Sequence, residues 1–218
     1  MKKAILKRII ATIFSAVILC FACVSSSYAA SNKVFFGAGI NFNDGNERDF
    51  WLNYLGSKIS TIVENKGYGG YQKVNQISAN NALGILKDDA GIFAVHTHGN
   101  QTSIDFSNDT SITMAQINAL ASNALSDVDL VVYGTCEAAK GGKYASNMVN
   151  STFNKGAKVV IGFEDITYVD QMNHWLINFF SSYSRGKDVI EAASDGLFWT
   201  EAYYHGDAGG TDTVLIRY

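Results

Sequence analysis

Apolar residues along the chain fall into two alternating kinds of pattern. Short continuous runs, bounded by glycine and small polar residues, have the length and composition of buried strands: KVFFGA (Lys33 to Ala38), YQKVNQI (Tyr71 to Ile77), GIFAVHT (Gly91 to Thr97), VDLVVYG (Val128 to Gly134), AKVVIGF (Ala157 to Phe163) and DTVLIRY (Asp212 to Tyr218). Between them lie stretches of helical period. Trp51, Leu55, Ile59 and Ile62 form one stripe after an Asp49 cap, and Ala82, Ile85 and Leu86 form a shorter one. A third helix is expected over Ile112 to Leu125, with Asp109 to Ser111 as capping candidates. The strongest stripe is Met172, Trp175, Leu176, Phe179, Phe180 and Tyr183, at i, i+3, i+4, i+7, i+8 and i+11, and its aromatics are expected to be core. Strands alternating with amphipathic helices predict an α/β fold: a mostly parallel six-stranded sheet with helices on both faces. There is no proline, repeat or low-complexity linker to mark an internal boundary.

The first 29 residues stand apart from this pattern. Lys2, Lys3, Lys7 and Arg8 precede the apolar run Ile9 to Val24, and Ser27-Tyr28-Ala29 places small residues at −3 and −1 of a cleavage site after Ala29. The expectation is a signal peptide over 1–29, a single α/β domain over 30–218, and a secreted or periplasmic location. Neither Cys20 nor Cys23 has the upstream residues of a lipoprotein site, and no later apolar run is long enough to span a bilayer, so no integral membrane segment is expected after signal removal.

Removing the signal leaves 13 Lys and Arg against 20 Asp and Glu, near −7, which opposes nucleic-acid binding because that needs a basic footprint. It also leaves Cys136 as the only cysteine, so an internal disulfide is excluded and the residue is either a small buried hydrophobe or a free thiol.

In an open parallel sheet, ligands are met beyond the carboxyl ends of the strands. Two strands end in chemically loaded tripeptides: GIFAVHT runs into His98-Gly99-Asn100, and VDLVVYG into Thr135-Cys136-Glu137. A cysteine nucleophile needs a base or an electropositive setting to act as thiolate. If the two strands are neighbours, the His98 imidazole and the Cys136 thiol border one scissile bond, and Gly99 can bring its N–H close to the oxyanion beside that of Cys136.

These blocks resemble the two signatures of caspase-like cysteine peptidases, the group of caspases, metacaspases, legumains, clostripain and separase, and look closest to the CHAT and separase branch. The resemblance rests on FAVHTHG and DLVVYGTCEAA, followed in order by GTCEAAKGG, NKGAKVVIG, FEDITYVD and QMNHWLINFFSSY, and covers Ile92 to Ala193. It implies a caspase-like three-layer sandwich and a cysteine endopeptidase acting on polypeptide substrates without cofactor or metal. It implies His98 as base, Cys136 as nucleophile, and the Gly99 and Cys136 amides as oxyanion donors. Relatives with basic P1 preference carry an acid two residues before the cysteine, where this chain has Gly134. Glu164 and Asp165 are then the acidic candidates for an S1 wall, and Asp165 is equally a candidate cap for the helix beginning near Tyr168.

Other readings of the same residues stay open. A caspase-like fold without catalysis would serve as an extracytoplasmic binding module. His96 and His98, two apart on a strand, share a side and form a possible metal pair for a metal-dependent hydrolase, although Asn100-Gln101 stands where an HxHxDH motif would continue. His96 by itself reads as a hydrogen-bonded structural histidine. The loop Asn41 to Asp49 is rich in oxygen ligands but lacks calcium-loop spacing, and reads as a turn and helix cap. Substrate identity and oligomeric state leave no mark on the sequence.

Overall fold

The computed structural model describes residues 33–38, 58, 61–75, 77–107 and 109–218, all of which lie in the compact unit Asn32–Tyr218. The proposed signal peptide, the loop Asn41 to Asp49, and the Trp51, Leu55 and Ile59 part of the first helical stripe lie outside the described residues.

Nine strands are described. The main sheet contains β1 (Lys33–Ala38), β2 (Gly70–Asn75), β3 (Ala90–His96), β7 (Leu130–Gly134), β8 (Val160–Phe163) and β9 (Val214–Arg217), in the order β2-β1-β3-β7-β8-β9. The first five are parallel to their neighbours, and β9 closes one edge antiparallel to β8. The reason lies in the runs themselves. β3, β7 and β8 are buried along their whole length, as strands covered on both faces must be, whereas β9 is only half-buried throughout.

Alternation within the strands divides the core into two layers. One sheet face carries Phe36, Ile92, Ala94, Leu130, Val132, Ile161 and Phe163. Against it pack α4 (Val169–Ser184) and α5 (Val189–Tyr203), through the expected stripe Met172, Trp175, Leu176, Phe179, Phe180 and Tyr183 together with Ala192 and Ala193. Ile62, in the helical stretch 61–66, joins the same layer. The other face carries Phe35, Phe93, Val95, Val131, Tyr133 and Val160. It is covered by α1 (Ala79–Asp88) through Ala79, Ala82 and Leu86, and by Ile117, Met148 and Val149 from the short helices α2 (Met114–Ala119) and α3 (Met148–Phe153). Helix, sheet and helix form the three-layer sandwich that the pattern of periods implied.

Two expectations fail locally. The helix expected over Ile112 to Leu125 is confined to α2, because Ile112 belongs to a strand. A three-stranded antiparallel sheet, β4 (Gly99–Asn100), β5 (Ser103–Phe106) and β6 (Thr110–Thr113), is inserted after β3, and Ile112 is paired with Ile104 inside it. The cap is therefore Thr113 rather than any of Asp109 to Ser111. Its hydroxyl accepts the Gln116 N–H at 3.2 Å while the Gln116 carboxamide accepts the Thr113 N–H at 2.8 Å, a full capping box. Asp165 is likewise not a helix cap. The N-cap of α4 is Tyr168, and residues 164–168 are drawn out by main-chain bonds to other segments before the helix can begin.

Candidate functional site

Because β3 and β7 are parallel neighbours with His96 opposite Gly134, the residues that follow them leave the same edge of the sheet side by side. The Thr97 N–H still bonds to the Gly134 carbonyl at 3.2 Å, one residue before the strands part. His98 and Cys136 are thus brought to adjacent strand ends, the condition on which the sequence reading of the pair depended. His98 is exposed and Cys136 half-buried.

The inserted sheet holds the histidine. The Asp105 N–H donates to the His98 carbonyl at 2.9 Å, and the Thr97 hydroxyl donates to the Asp105 carbonyl at 2.5 Å. Gly99 then pairs with Ile104 in the first rung of β4. A methyl group at Gly99 would lie 2.5 Å from Thr135 Oγ1 and 2.7 Å from the Ser103 carbonyl oxygen, so only glycine fits between the two strand-end loops. Thr135 is buried, and its hydroxyl has no hydrogen-bond partner.

The cysteine stands at a sharp reversal. Glu137 has φ +53, a left-handed conformation that is costly for a residue with a side chain, of order 1–3 kcal/mol. Its N–H is tied to the Asp165 carbonyl at 3.0 Å and its carboxylate to Lys140 Nζ at 2.5 Å. The turn returns Ala138 and Ala139 to the core, where the Ala139 N–H bonds to the Phe163 carbonyl at 2.9 Å, and leaves Cys136 at the apex. The fully buried Asn147 closes the loop from below: its amide donates to the carbonyls of Ala139, Lys140 and Gly142 at 3.1, 3.2 and 2.9 Å. Asn150 donates to Gly142 and Ala145. The loop is also fastened to the histidine side, through Met148 N–H to the Gln101 carbonyl and Gln101 Nε2 to the Ser146 carbonyl.

The sulfur itself meets Thr167, from the loop after β8. The Thr167 N–H donates to Cys136 Sγ at 3.4 Å, the Thr167 carbonyl lies 3.5 Å away as acceptor for the thiol, and the Thr167 hydroxyl is 3.8 Å distant. Exposed Ile166 and Tyr168 flank it. In the same loop Glu164 is half-buried, with its carboxylate oxygens 3.5 Å from where a Gly142 side chain would begin, and Asp165 is exposed. Both acids therefore border the cysteine loop. No sequence motif marks Thr167, Asn147 or Thr135, and the sheet that anchors His98 was missed in the sequence, where its one signal is the polar–apolar alternation of SIDF and the β-branched residues of TSIT.

His96 sits beneath the site, 3% exposed. Burial, with the nearby His98 as a second cause, pushes its ring down to about 3, while hydrogen bonding with the Asn173 side chain opposes the shift. A neutral, enclosed His96 agrees with a structural histidine. The metal alternative needs a third ligand, and among the described residues no group of three His, Cys, Asp or Glu side chains is placed to hold an ion. His174 stacks on Tyr203 with ring centroids 4.1 Å apart.

The depressed His96 pKa gives a stability expectation. Above the ordinary imidazole value near 6.5 both folded and unfolded chains carry His96 neutral, and the full contribution is present; as pH falls toward 3 the unfolded chain binds a proton that the folded one refuses. Stability should therefore decline on acidification by up to about 1.4 kcal/mol per pH unit from this residue. Urea unfolding at pH 7, 5.5 and 4.5 checks this: His96→Gln should flatten the acid limb, and a variant with the unchanged wild-type slope would remove His96 as its source.

No protein-family model matches the chain, and no curated protein matches it in sequence. Solved structures do match in fold. The Arg-specific cysteine proteinase gingipain R superposes with a TM-score of 0.64 at 10% identity, covering 84% of this chain and 45% of that one. A structure described simply as a protease gives 0.67 at 13% identity over 89% and 48%. The separase–securin complex of Saccharomyces cerevisiae gives 0.55 at 12% identity over 85% and 12%. The chain thus spans about half the length of the first two proteinases and a small part of the third. The fold it shares with them is the caspase-like α/β sandwich.

Proposed function

We propose that this chain is an exported endopeptidase of caspase-like fold in which Cys136 is the nucleophile and His98 the base. The observation that carries the proposal is the parallel pairing of β3 and β7, which delivers His98-Gly99 and Cys136 to one edge of the sheet. In this reading the two residues act as a unit, and the likeness of the fold to that of gingipain R, a cysteine proteinase, supports the same chemistry class.

The mechanism follows from the roles available. His98 accepts the thiol proton as Cys136 Sγ bonds to the peptide carbonyl carbon, and the oxyanion so formed is met by the N–H groups of Gly99 and Cys136. His98 returns the proton to the leaving amine as the C–N bond breaks. Water, deprotonated by His98, then splits the thioester and restores the thiol. Fixed main chain on both sides of the reacting atoms keeps the donors in place without reorganisation during the reaction. The substrate is a polypeptide. Positional-scanning peptide cleavage by the mature chain, with Cys136→Ala as control, tests the proposal.

The acids of the 164–168 loop favour a basic P1 residue. A lysine or arginine side chain entering beside the cysteine loop would meet Glu164 or Asp165 in a charge-assisted hydrogen bond, and an acidic one would be repelled. Arg specificity in gingipain R, a structural neighbour, is in keeping with this. On matched peptides, Asp165→Asn and Glu164→Gln are each expected to lower kcat/KM for Arg at P1 by about tenfold or more while leaving neutral P1 residues within about threefold. Equal loss on charged and neutral peptides would take both acids out of the pocket.

A further inference from the structure

The contact between the Cys136 sulfur and the Thr167 peptide depends on a third segment far along the chain. Between the end of β8 at Phe163 and the start of α4 at Val169, five residues have no regular structure. They are held by the segment leading into β9. The Glu164 N–H donates to the Thr213 carbonyl at 3.0 Å, the Asp165 N–H to Thr213 Oγ1 at 3.2 Å, and the Tyr168 N–H to the Gly209 carbonyl at 3.0 Å. The Thr213 hydroxyl in turn donates to the Gly210 carbonyl at 2.7 Å, so this one side chain both accepts from the strap and fixes its own turn. Gly210 has φ +80, and a methyl group there would lie 2.1 Å from the Ile166 carbonyl oxygen. On the opposite side the strap is tied to the Glu137 N–H through the Asp165 carbonyl. Thr167 is therefore suspended between anchors at 164, 165 and 168, with its peptide facing the sulfur.

We infer that the segment 208–213 is a positioning device for the nucleophile: through Thr213 and Gly210 it holds the Thr167 peptide against Cys136 Sγ and so fixes the side-chain orientation from which the sulfur attacks. Thr213 and Gly210 touch no reacting atom and act through Thr167. A half-buried thiol on a turn has several staggered orientations open to it. One N–H donated to the sulfur and one carbonyl accepting from it select among them. Pre-set orientation is worth rate, and a misplacement of the order of 1 Å costs about a hundredfold in reactions that depend on alignment.

The consequence for turnover rests on the peptidase assignment; the consequence for the exposure of the sulfur does not, and the experiment separates the two. Thr213→Val keeps shape and removes both hydrogen bonds, Thr213→Ser keeps them, and Gly210→Ala pushes the strap away. Leu86→Ala, buried under the opposite sheet face, is the control for general loss of stability. Melting temperature, the rate of Cys136 alkylation by iodoacetamide, and kcat and KM on the best scanned peptide are measured for each. Thr213→Val is expected to raise the alkylation rate about fivefold, because the sulfur is released from its cover, and to lower kcat about tenfold with KM within about twofold. Thr213→Ser should behave as wild type, and Gly210→Ala should exceed Thr213→Val in both effects. An alkylation rate in Thr213→Val equal to wild type, or matched by Leu86→Ala at the same melting temperature, overturns the inference. Faster alkylation in a protein whose wild type cleaves no peptide supports the positioning device and rejects the peptidase.

Discussion

Cys136→Ala and His98→Ala should each lower kcat/KM for peptide hydrolysis by about three orders of magnitude or more, and the double variant should be scarcely worse than either single one. Nucleophile and base act as a unit: without the base the thiol is a poor nucleophile, and without the thiol there is nothing for the base to activate, so the losses do not add. Residual rate in both variants would come from binding and from the backbone donors, which neither change removes. Folding is a small concern for either substitution, since His98 is exposed and Cys136 half-buried at a turn held by main-chain bonds. The measurement is initial-rate kinetics on the scanned peptides, with iodoacetamide labelling to confirm that Cys136 is the modified residue in the His98 variant. Wild-type turnover by Cys136→Ala would end the thiol mechanism outright. A His98→Ala enzyme within about tenfold of wild type would keep the nucleophile and send the search for the base elsewhere.

The second large effect is expected at Gly99. Alanine there brings a methyl group within 2.5 Å of Thr135 Oγ1 and 2.7 Å of the Ser103 carbonyl oxygen. The threonine side chain can rotate, but the Ser103 carbonyl is main chain, fixed by the pairing of β4 with β5. The glycine peptide must therefore shift, and it carries one of the two amides proposed to meet the oxyanion. Losing one such donor costs about 10²–10³ in kcat. Gly99→Ala is expected to lose that much with little change in KM, and to keep the alkylation rate of Cys136 near wild type because the thiol has not moved. Thr135→Ala alone relieves nothing at Ser103, so it should not rescue Gly99→Ala. Turnover by Gly99→Ala close to wild type would exclude that amide from the oxyanion site.

Much of the architecture was legible because it is carried by short-range pattern. The uninterrupted apolar runs ending at His96 and Gly134 mark strands covered on both faces, and all of β3 and β7 is buried. The six apolar positions from Met172 to Tyr183 are all buried in α4, since a helical stripe of that width has no other way to leave water. The failures share one cause. At 112–113 two β-branched residues could continue a helical period or end a strand, and pairing with Ile104 decided for the strand. At Asp165 a good capping residue stands four positions before the first helical residue, and bonds to Thr213 and Glu137 held the chain extended until Tyr168.

The division at the site is of the same kind. The sequence by itself determined that a His-Gly and a Cys stand at the ends of two consecutive buried strands, because burial pattern, strand length and residue identity are all local. It also determined that residues 30–218 hold a single cysteine and more acidic than basic side chains. Tertiary structure alone decided that those strand ends are adjacent, that Gly99 is wedged between Thr135 and Ser103, and that Asn147 gathers the carbonyls beneath the cysteine loop. It alone brought Thr167 to the sulfur and Thr213 to Asp165, two residues before Thr167. These contacts run largely through backbone N–H and C=O groups that every residue but proline possesses, between segments as far apart in the chain as Glu164 and Thr213. A hydrogen bond of that kind selects no particular side chain, so it leaves no trace in composition or period and exists only once the chain has folded.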